Sequence, residues 1–225
     1  MKKALSITTT CLFGIAVFLF IITFSIGLPI YCRFFYYLQI EPLQIPQNTG
    51  FSFEQIKEAY DQVLDYLTLP NATFSTGDFK FSQEGYSHFA DCKALFALNS
   101  TLLIISSIVI ASLLLLNKFK KTTLLRPFGC SVALISAISI LVVGALLTIV
   151  ISIDFDGAFI TFHHLFFPGK DNWTFHPDKD QIITALPQEF FMNCAILIGL
   201  SIIFISLFII VFQLIKRKKQ IHTNK

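Results

Sequence analysis

Histidine is the residue type in this chain that is best suited to acid–base chemistry. A neutral imidazole is a competent general base at neutral pH, and its cation can stabilise or protonate a developing oxyanion. Of the five histidines, four fall in two segments that separate the most apolar parts of the sequence. They are His88 in the first segment and His163, His164 and His176 in the second. The fifth, His222, lies in a basic tail and is expected to be inert.

The surroundings of His88 are those of a base with carboxylates nearby. Ser82 is a suitable N-cap for a helix through His88, and no helix breaker separates Lys93 from the apolar run that follows. At 3.6 residues per turn, Glu84 and Asp91 lie about one turn before and after His88, where they could orient its imidazole. Taken alone, this pattern is more typical of a surface histidine. A second histidine on another element favours catalysis, because the two elements could converge.

The second histidine segment is unusually aromatic. Its aromatic residues are Phe155, Phe159, Phe162, Phe166, Phe167, Trp173 and Phe175. We interpret it as an aromatic loop between membrane helices, in which Pro177–Asp180 could start a short helix. The alternative is an interfacial aromatic anchor with incidental histidines.

Signatures of other catalytic mechanisms are missing from the sequence. There is no GxSxG elbow, HExxH, P-loop, dinucleotide fingerprint or CxxC, and the spacing of His163, His164 and His176 is weak for zinc. The five cysteines do not suggest a disulfide scaffold, although a Cys32–Cys92 bridge stays open. Histidines without an evident nucleophile suit a reaction whose substrate brings its own nucleophile.

The elements that must position these histidines are membrane helices. The chain has 225 residues, of which 54% are hydrophobic and only 14% charged, which argues against a soluble enzyme or a nucleic-acid binder. About 20 apolar residues span a bilayer core. Four runs are at least that long and free of Asp, Glu, Lys and Arg: residues 5–32, 94–117, 128–153 and 190–215. The first run is too long for a signal-peptide core and is interpreted as a retained helix.

Charge predicts the orientation of these helices. Residues 1–4, 118–127 and 216–225 hold 11 of the 17 basic residues and none of the 14 acidic ones. The positive-inside rule places these segments, with both termini, in the cytoplasm, and residues 33–93 and 154–189 outside. We therefore predict an all-α membrane protein, a single integral membrane domain over residues 1–225. Four transmembrane helices would carry two extracytoplasmic segments that form a small helical and loop cap. In the first of these, Ser52 and Gln55 form a capping box for an amphipathic helix.

Both histidine segments resemble motifs of one bacterial membrane family. Residues 81–93, FSQEGYSHFADCK, resemble the pattern F-S-x-E-x-x-H-x-x-D-V-K, with one more residue between Glu84 and His88; the departures are Gly85 after Glu84 and Cys92, where the pattern has Val. Residues 162–175, FHHLFFPGKDNWTF, resemble F-H-x-x-F-F-x-G-x-x-x-W-x-F. The chain is similar in nearly its whole length to the four-helix lipoprotein intramolecular transacylases, Lit.

The resemblance implies a reaction and roles for individual residues. The sn-2 acyl chain of a diacylglyceryl lipoprotein would move to the α-amine of the lipoprotein's own N-terminal cysteine, with no cofactor or metal. His163 would be the general base and His88 the oxyanion stabiliser or acid, although the two roles could be exchanged. Asp91 and Glu84 would orient His88. Substrate-binding residues would be Phe162, Phe166, Phe167 and Trp173. The site would lie at the extracytoplasmic leaflet of a bacterial cell membrane, with membrane lipid and a diacylated lipoprotein as partners.

Two other functions remain open at this stage. The same histidines could serve a membrane lipid hydrolase, with or without zinc. A four-helix scaffold without enzymatic activity is the second alternative, although such proteins usually rely on outer disulfides.

Overall fold

The computed structural model describes residues 2–223, with side chains from Lys3 to Lys218. Regular structure in this part of the chain is helical. The α-helices are α1 (Lys2–Tyr31), α2 (Arg33–Ile40), α3 (Ile45–Thr49), α4 (Phe53–Thr68), α5 (Gln83–Lys118), α6 (Val132–Ile153), α7 (Phe155–Phe166), α8 (Ile182–Ala185) and α9 (Gln188–Thr223). The predicted cytoplasmic ends include Met1, Asn224 and Lys225, which lie outside the described residues.

Helices α1, α5, α6 and α9 are long and apolar enough to cross a membrane. Each is built on one of the charge-free runs, so the prediction of an all-α membrane protein with four transmembrane helices is confirmed. Helix α5 is longer than its apolar run, as the absence of a breaker before residue 94 predicts. Its first part, Gln83–Lys93, carries the polar residues of the His88 motif. Helix α6 begins a few residues later than predicted. Gly129 has a left-handed backbone, and the Ser131 hydroxyl accepts a hydrogen bond from the Leu134 N–H, so Ser131 is the N-cap.

The chain forms two compact units, and each has its own apolar core. One unit contains residues up to Ile26, Ser100–Ile149 and the chain from Ile198 onward. Its core side chains include Phe13, Val17, Ile21, Leu113 and Ile140. In this unit the Ser136 hydroxyl donates a buried hydrogen bond of 2.9 Å to the Gly14 carbonyl. The prediction of a single integral membrane domain stays a prediction.

The second unit, Gly27–Asn99 with Val150–Leu197, contains both histidine motifs. Its core is built by the short helices and by the polar ends of the long ones. Tyr36 is fully buried, stacks on Tyr60 with ring centroids 3.9 Å apart, and donates a hydrogen bond of 2.7 Å to the Ala185 carbonyl. Helix α4 begins with the predicted capping box of Ser52 and Gln55. These contacts build a stable base around the start of α5.

A buried carboxylate holds the first turn of α5. Asp180 is 4% exposed, and its two oxygens accept hydrogen bonds from the backbone N–H and the hydroxyl of Ser82, at 2.8 and 2.9 Å. The Ser82 hydroxyl in turn accepts from the Gly85 N–H, which is the predicted N-cap. A Cβ on Gly85 would lie 2.1 Å from an Asp180 oxygen, so packing against this carboxylate requires glycine at the position after Glu84.

The second histidine segment differs from the predicted loop. Residues Phe155–Phe166 form a helix, which the Asp154 side chain caps through the Gly157 N–H. Pro177–Asp180 forms a turn, and the short helix of this region begins at Ile182. The sequence contains the reason: Asp154 is a good N-cap, and its following aromatic residues recur at helical spacing.

Candidate active site

The structure brings His88 and His163 together from two separate helices. Their ring centroids are 5.7 Å apart, and the ring planes are tilted by 32°. His88 lies near the start of α5, and His163 lies in the last turn of α7. Both side chains are buried, with 8% and 6% of their surface exposed. Two buried imidazoles at this distance can act on the same small group of reacting atoms.

A backbone hydrogen bond fixes the tautomer of His163. Its Nδ1 lies 2.8 Å from the carbonyl oxygen of Phe159, one turn earlier in α7. Because a carbonyl only accepts, Nδ1 must carry the proton, and in the neutral ring the lone pair is therefore on Nε2. Burial lowers the pKa of His163 below the ordinary value of 6.5; the bond to Phe159 opposes this shift, and His164 adds to it. The ring is therefore neutral at physiological pH, with its basic nitrogen at Nε2.

In the imidazole of His88 one nitrogen has a hydrogen-bond partner and the other has none. Its Nε2 lies 3.4 Å from the Sγ of Cys92, one turn later in α5. Its Nδ1 is buried and has no hydrogen-bond partner among the described residues. An unsatisfied polar atom in a buried position is costly, so such an atom is retained where a ligand can satisfy it.

Aromatic side chains enclose the histidine pair. Trp173 stacks on His163 with ring centroids 4.6 Å apart and an angle of 30° between the planes. Phe167 is 4% exposed and contacts both imidazoles, with centroid distances of 5.0 Å to His88 and 5.8 Å to His163. Phe175 meets His88 edge-on at 5.5 Å. These rings hold both imidazoles in fixed orientations and keep their surroundings apolar.

The other two aromatic residues predicted to bind substrate lie differently. Phe162 and Phe166 are each 46% exposed and pack on each other at 4.6 Å. Phe162 still touches the edge of the His163 ring at 5.5 Å. They therefore form an apolar outer face of α7, whereas Phe167 and Trp173 enclose the histidines.

The two predicted orienting carboxylates make no direct hydrogen bond to His88. Asp91 is paired with the ammonium of Lys170 and accepts a hydrogen bond of 3.1 Å from the amide of Asn172. Glu84 is exposed, and no hydrogen bond or ion pair of its side chain is found among the described residues. Asp91 thus anchors the loop after α7 to α5, and it acts on His88 only through space.

Sequence reasoning missed several residues of the site. Phe159 was considered only as an aromatic residue, although its carbonyl fixes His163. Cys92 stands out in the sequence only as a departure from the family pattern, yet its sulfur is next to His88. The available signal was spacing, since each of these residues lies one helical turn from its histidine. Lys170 and Asn172 gave no local signal, because their partner Asp91 is distant in the sequence.

The other two histidines of the aromatic segment do not join the pair. His164 is exposed and touches the edge of Trp173, and His176 is exposed and lies 3.5 Å from the carboxylate of Asp178. Within residues 2–223, no group of three or more His, Cys, Asp or Glu side chains is arranged to hold a metal ion. All five cysteines are free, including Cys32 and Cys92.

Comparisons with known proteins agree with this fold. The sequence profile of the family described as lipoprotein intramolecular transacylase Lit matches residues 11–191. The in meso structure of the membrane integral lipoprotein intramolecular transacylase Lit from Bacillus cereus superposes with a TM-score of 0.86 at 25% identity, and covers 97% of this chain and 99% of that one. A variant of the same protein with a histidine changed to alanine gives a TM-score of 0.79 at 25% identity, with 97% of each chain covered. Curated proteins give no match by sequence. Because the profile covers most of the chain, this protein belongs to the lipoprotein intramolecular transacylase family, Lit.

Proposed function

We propose that the protein converts a diacylglyceryl-modified lipoprotein to its lyso-form by moving the sn-2 acyl chain to the α-amine of the lipoprotein's N-terminal cysteine. The observation that carries this proposal is the facing pair of buried imidazoles, one of which has its basic nitrogen fixed by the backbone. Amine and ester belong to the same substrate molecule, so the reaction requires no enzyme nucleophile and no cofactor.

His163 is the general base in this reaction. The α-amine of a peptide has a pKa of about 8, so much of it carries an extra proton at neutral pH. The neutral form, which has released this extra proton to water, attacks the ester carbonyl carbon, forms a C–N bond and places negative charge on the carbonyl oxygen. The Nε2 lone pair of His163 takes the proton that the nitrogen must lose. A neutral imidazole is required for this step, and burial keeps His163 in that form.

His88 stabilises the tetrahedral intermediate. The sulfur of Cys92 is a weak acceptor and an imidazole nitrogen is a good one, so the thiol donates to Nε2 of His88. The ring proton then lies on Nδ1, the buried atom without a partner, where it can donate to the developing oxyanion. When the C–O bond breaks, the proton held by His163 passes to the leaving glyceryl oxygen. The amide forms, the glyceryl hydroxyl is freed, and no atom is gained or lost.

The rest of the site orients the substrate and excludes water. An intramolecular reaction gains its rate from being held in an attack geometry, and orientation can supply several kcal/mol of barrier lowering, roughly 7–11 kcal/mol at most. Phe167, Phe175 and Trp173 form apolar walls around the imidazoles. The outward rings of Phe162 and Phe166 suit contact with acyl chains or membrane lipid. An apolar, closed site also favours transfer to the amine over hydrolysis.

The site faces the outside of a bacterial cell membrane, with both termini in the cytoplasm. The charge distribution supports this orientation, since the segments that alternate with the histidine segments hold 11 of the 17 basic residues and none of the 14 acidic ones. A membrane-impermeant thiol reagent tests it on intact cells. An Asp178→Cys variant is expected to react without lysis and a Lys120→Cys variant only after lysis. In each case the labelling should exceed that of the unmodified protein. The reverse pattern would contradict the orientation.

A defined substrate tests the reaction itself. The full-length protein in liposomes would be given a synthetic diacylglyceryl lipopeptide with a free amine. The expected product has the same mass as the substrate, a blocked amine and a free glyceryl hydroxyl. Fatty acid release without amide formation would indicate a hydrolase, and an unchanged lipopeptide would favour a scaffold.

Variants connect this activity to the histidine pair. His163→Gln and His88→Gln are each expected to lower the rate by at least about 100-fold, the usual size of a lost acid–base group. His164→Gln is the matched control, because it changes an exposed neighbour and should retain activity close to that of the unmodified protein. Full activity in both His163→Gln and His88→Gln would remove the basis of the mechanism.

A further inference from the structure

Asn172 carries a second buried polar atom that the proposed chemistry has not used. Its Oδ1 is buried and has no hydrogen-bond partner among the described residues. Its Nδ2 donates to an Asp91 carboxylate oxygen at 3.1 Å and to the Ser87 hydroxyl at 3.3 Å. A carboxylate only accepts, so the amide cannot be flipped, and Oδ1 must be the atom that is left over.

Asn172 is connected to both members of the histidine pair. Ser87, one of its hydrogen-bond partners, directly precedes His88. Trp173, which directly follows Asn172, stacks on His163 at 4.6 Å. The two unsatisfied atoms, Nδ1 of His88 and Oδ1 of Asn172, therefore occur within one small part of the molecule. One can donate, and the other can only accept.

These two atoms complement the two polar groups that the substrate brings. The ester carbonyl needs a donor, whereas the α-amine needs an acceptor. We propose that Oδ1 of Asn172 accepts a hydrogen bond from the α-amine of the lipoprotein and holds this nitrogen in position for attack. Asn172 is thus an amine-binding residue, and this assignment rests on the proposed transacylase function.

A neutral acceptor suits this position better than a carboxylate. An adjacent negative charge would stabilise the ammonium form of the substrate, which cannot attack. The carboxylate of Asp91 is close by, but Lys170 neutralises it, so the amide provides direction without net charge. Donation from Nδ2 to this carboxylate also polarises the amide and makes Oδ1 a better acceptor.

Binding of unreactive analogues tests this role separately from acyl transfer. The first probe is a lipopeptide in which ether linkages replace both esters and the α-amine is free. The second probe is identical except that hydrogen replaces the amine. The full-length protein in nanodiscs is expected to bind the first probe about tenfold more tightly, the upper end of the effect of one hydrogen bond between neutral groups.

The variant expected to remove this preference is Asn172→Leu, which keeps the size of the side chain. It should bind both probes as the unmodified protein binds the amine-free one. Asp171→Asn is the matched control, because it removes an exposed charge next to Asn172 and should keep the preference. Asn172→Ala provides a second test if the leucine variant is poorly folded.

Three results would overturn the assignment. They are an unmodified protein that binds both probes equally, an Asn172 variant that weakens both probes to the same extent, and loss of the preference in Asp171→Asn. The first two would leave Asn172 a purely structural residue. The third would mean that the negative charge of Asp171, and not the amide of Asn172, attracts the amine. Since neither probe has an ester, failure here is distinct from failure of the transfer reaction, which only the reactive substrate reports.

Discussion

His163 donates its Nδ1 proton to the carbonyl oxygen of Phe159 across 2.8 Å, within a single turn of α7. This bond leaves Nε2 as the only basic nitrogen of the ring. Many catalytic histidines depend on a carboxylate for the same purpose, and a carboxylate would raise the pKa of the ring. A backbone carbonyl fixes the tautomer without a full charge, which is compatible with a buried, neutral base.

The protonation of His163 can be followed through the only tryptophan of the chain. Burial lowers the pKa of His163, so the ring stays neutral as the pH falls through 6.5 and gains its proton only below that value. A protonated imidazole quenches indole emission, and Trp173 stacks directly on this ring. The emission of Trp173 is therefore expected to fall on acidification, with a midpoint below 6.5.

Two variants identify the ring responsible for that transition. It should disappear in His163→Gln and persist in His164→Gln, whose exposed ring touches only the edge of Trp173. The lowered pKa of His163 also makes the free energy of unfolding depend on pH. The unfolded chain binds the proton at a higher pH than the folded protein does, so the fold loses stability as the pH falls below about 6.5. A midpoint at or above 6.5 would contradict the burial argument.

Neighbouring phenylalanines should differ sharply when each is replaced by alanine. Phe167 is 4% exposed and contacts both imidazoles, so Phe167→Ala should cost about 3–5 kcal/mol of folding free energy and most of the activity. Phe166 is 46% exposed, and Phe166→Ala should cost less than about 1 kcal/mol. Denaturant unfolding in detergent measures both changes. Equal losses would mean that the two rings have similar surroundings in the folded protein.

Gly85 and Asp180 are expected to interact non-additively. A Cβ at position 85 would lie 2.1 Å from the Asp180 carboxylate, so Gly85→Ala should destabilise the protein by about 1–3 kcal/mol. In an Asp180→Ala background the clash is gone, and the same change should stabilise α5 by up to about 1 kcal/mol, because alanine favours a helix over glycine. Thermal unfolding of the four proteins measures this change of sign. An equal effect in both backgrounds would rule out the contact.

Cys92 is expected to tune the rate rather than determine it. Its thiol lies 3.4 Å from Nε2 of His88, and a thiol is a weak donor. Cys92→Val removes this donor and should lower kcat roughly fivefold, the effect of one weak hydrogen bond. Cys92→Ser retains a donor and should remain within about twofold of the unmodified protein. If both variants lose activity equally, Cys92 only fills space.

The parts of the fold that follow from local chemistry could be predicted from the sequence. Charge-free runs predict the long helices because a bilayer core tolerates few unpaired charges. The capping box at Ser52 and the N-cap at Ser82 are local signals, and the structure has both. Histidines on two separate elements only suggest that these elements could converge; the choice of His88 and His163 as the pair follows from the family motifs, since nothing local to either residue indicates the other.

Other features depend on contacts between distant parts of the chain. Asp180 had no visible role, because its partner Ser82 lies 98 residues earlier. The division of the aromatic residues into Phe167 inside and Phe166 outside also required the structure. The segment was interpreted as a loop, in which neighbouring residues have no defined faces. In the structure α7 ends at Phe166, and its C-cap Phe167 lies one helical turn after His163, where its ring contacts that imidazole while Phe166 stays exposed.

The continuity of α5 has a consequence for which features of a substrate affect the rate of transfer. His88 lies six residues before Ala94, where the apolar run begins, so the helical rise fixes a spacing of roughly 9 Å along the helix between them. Under the proposed mechanism the imidazole samples one depth, that of the glyceryl ester and the amine, while the hydrocarbon tails extend away from it. Lipoproteins whose tails differ in length should consequently be processed at similar rates, whereas a spacer inserted between the glyceryl group and the peptide should abolish turnover.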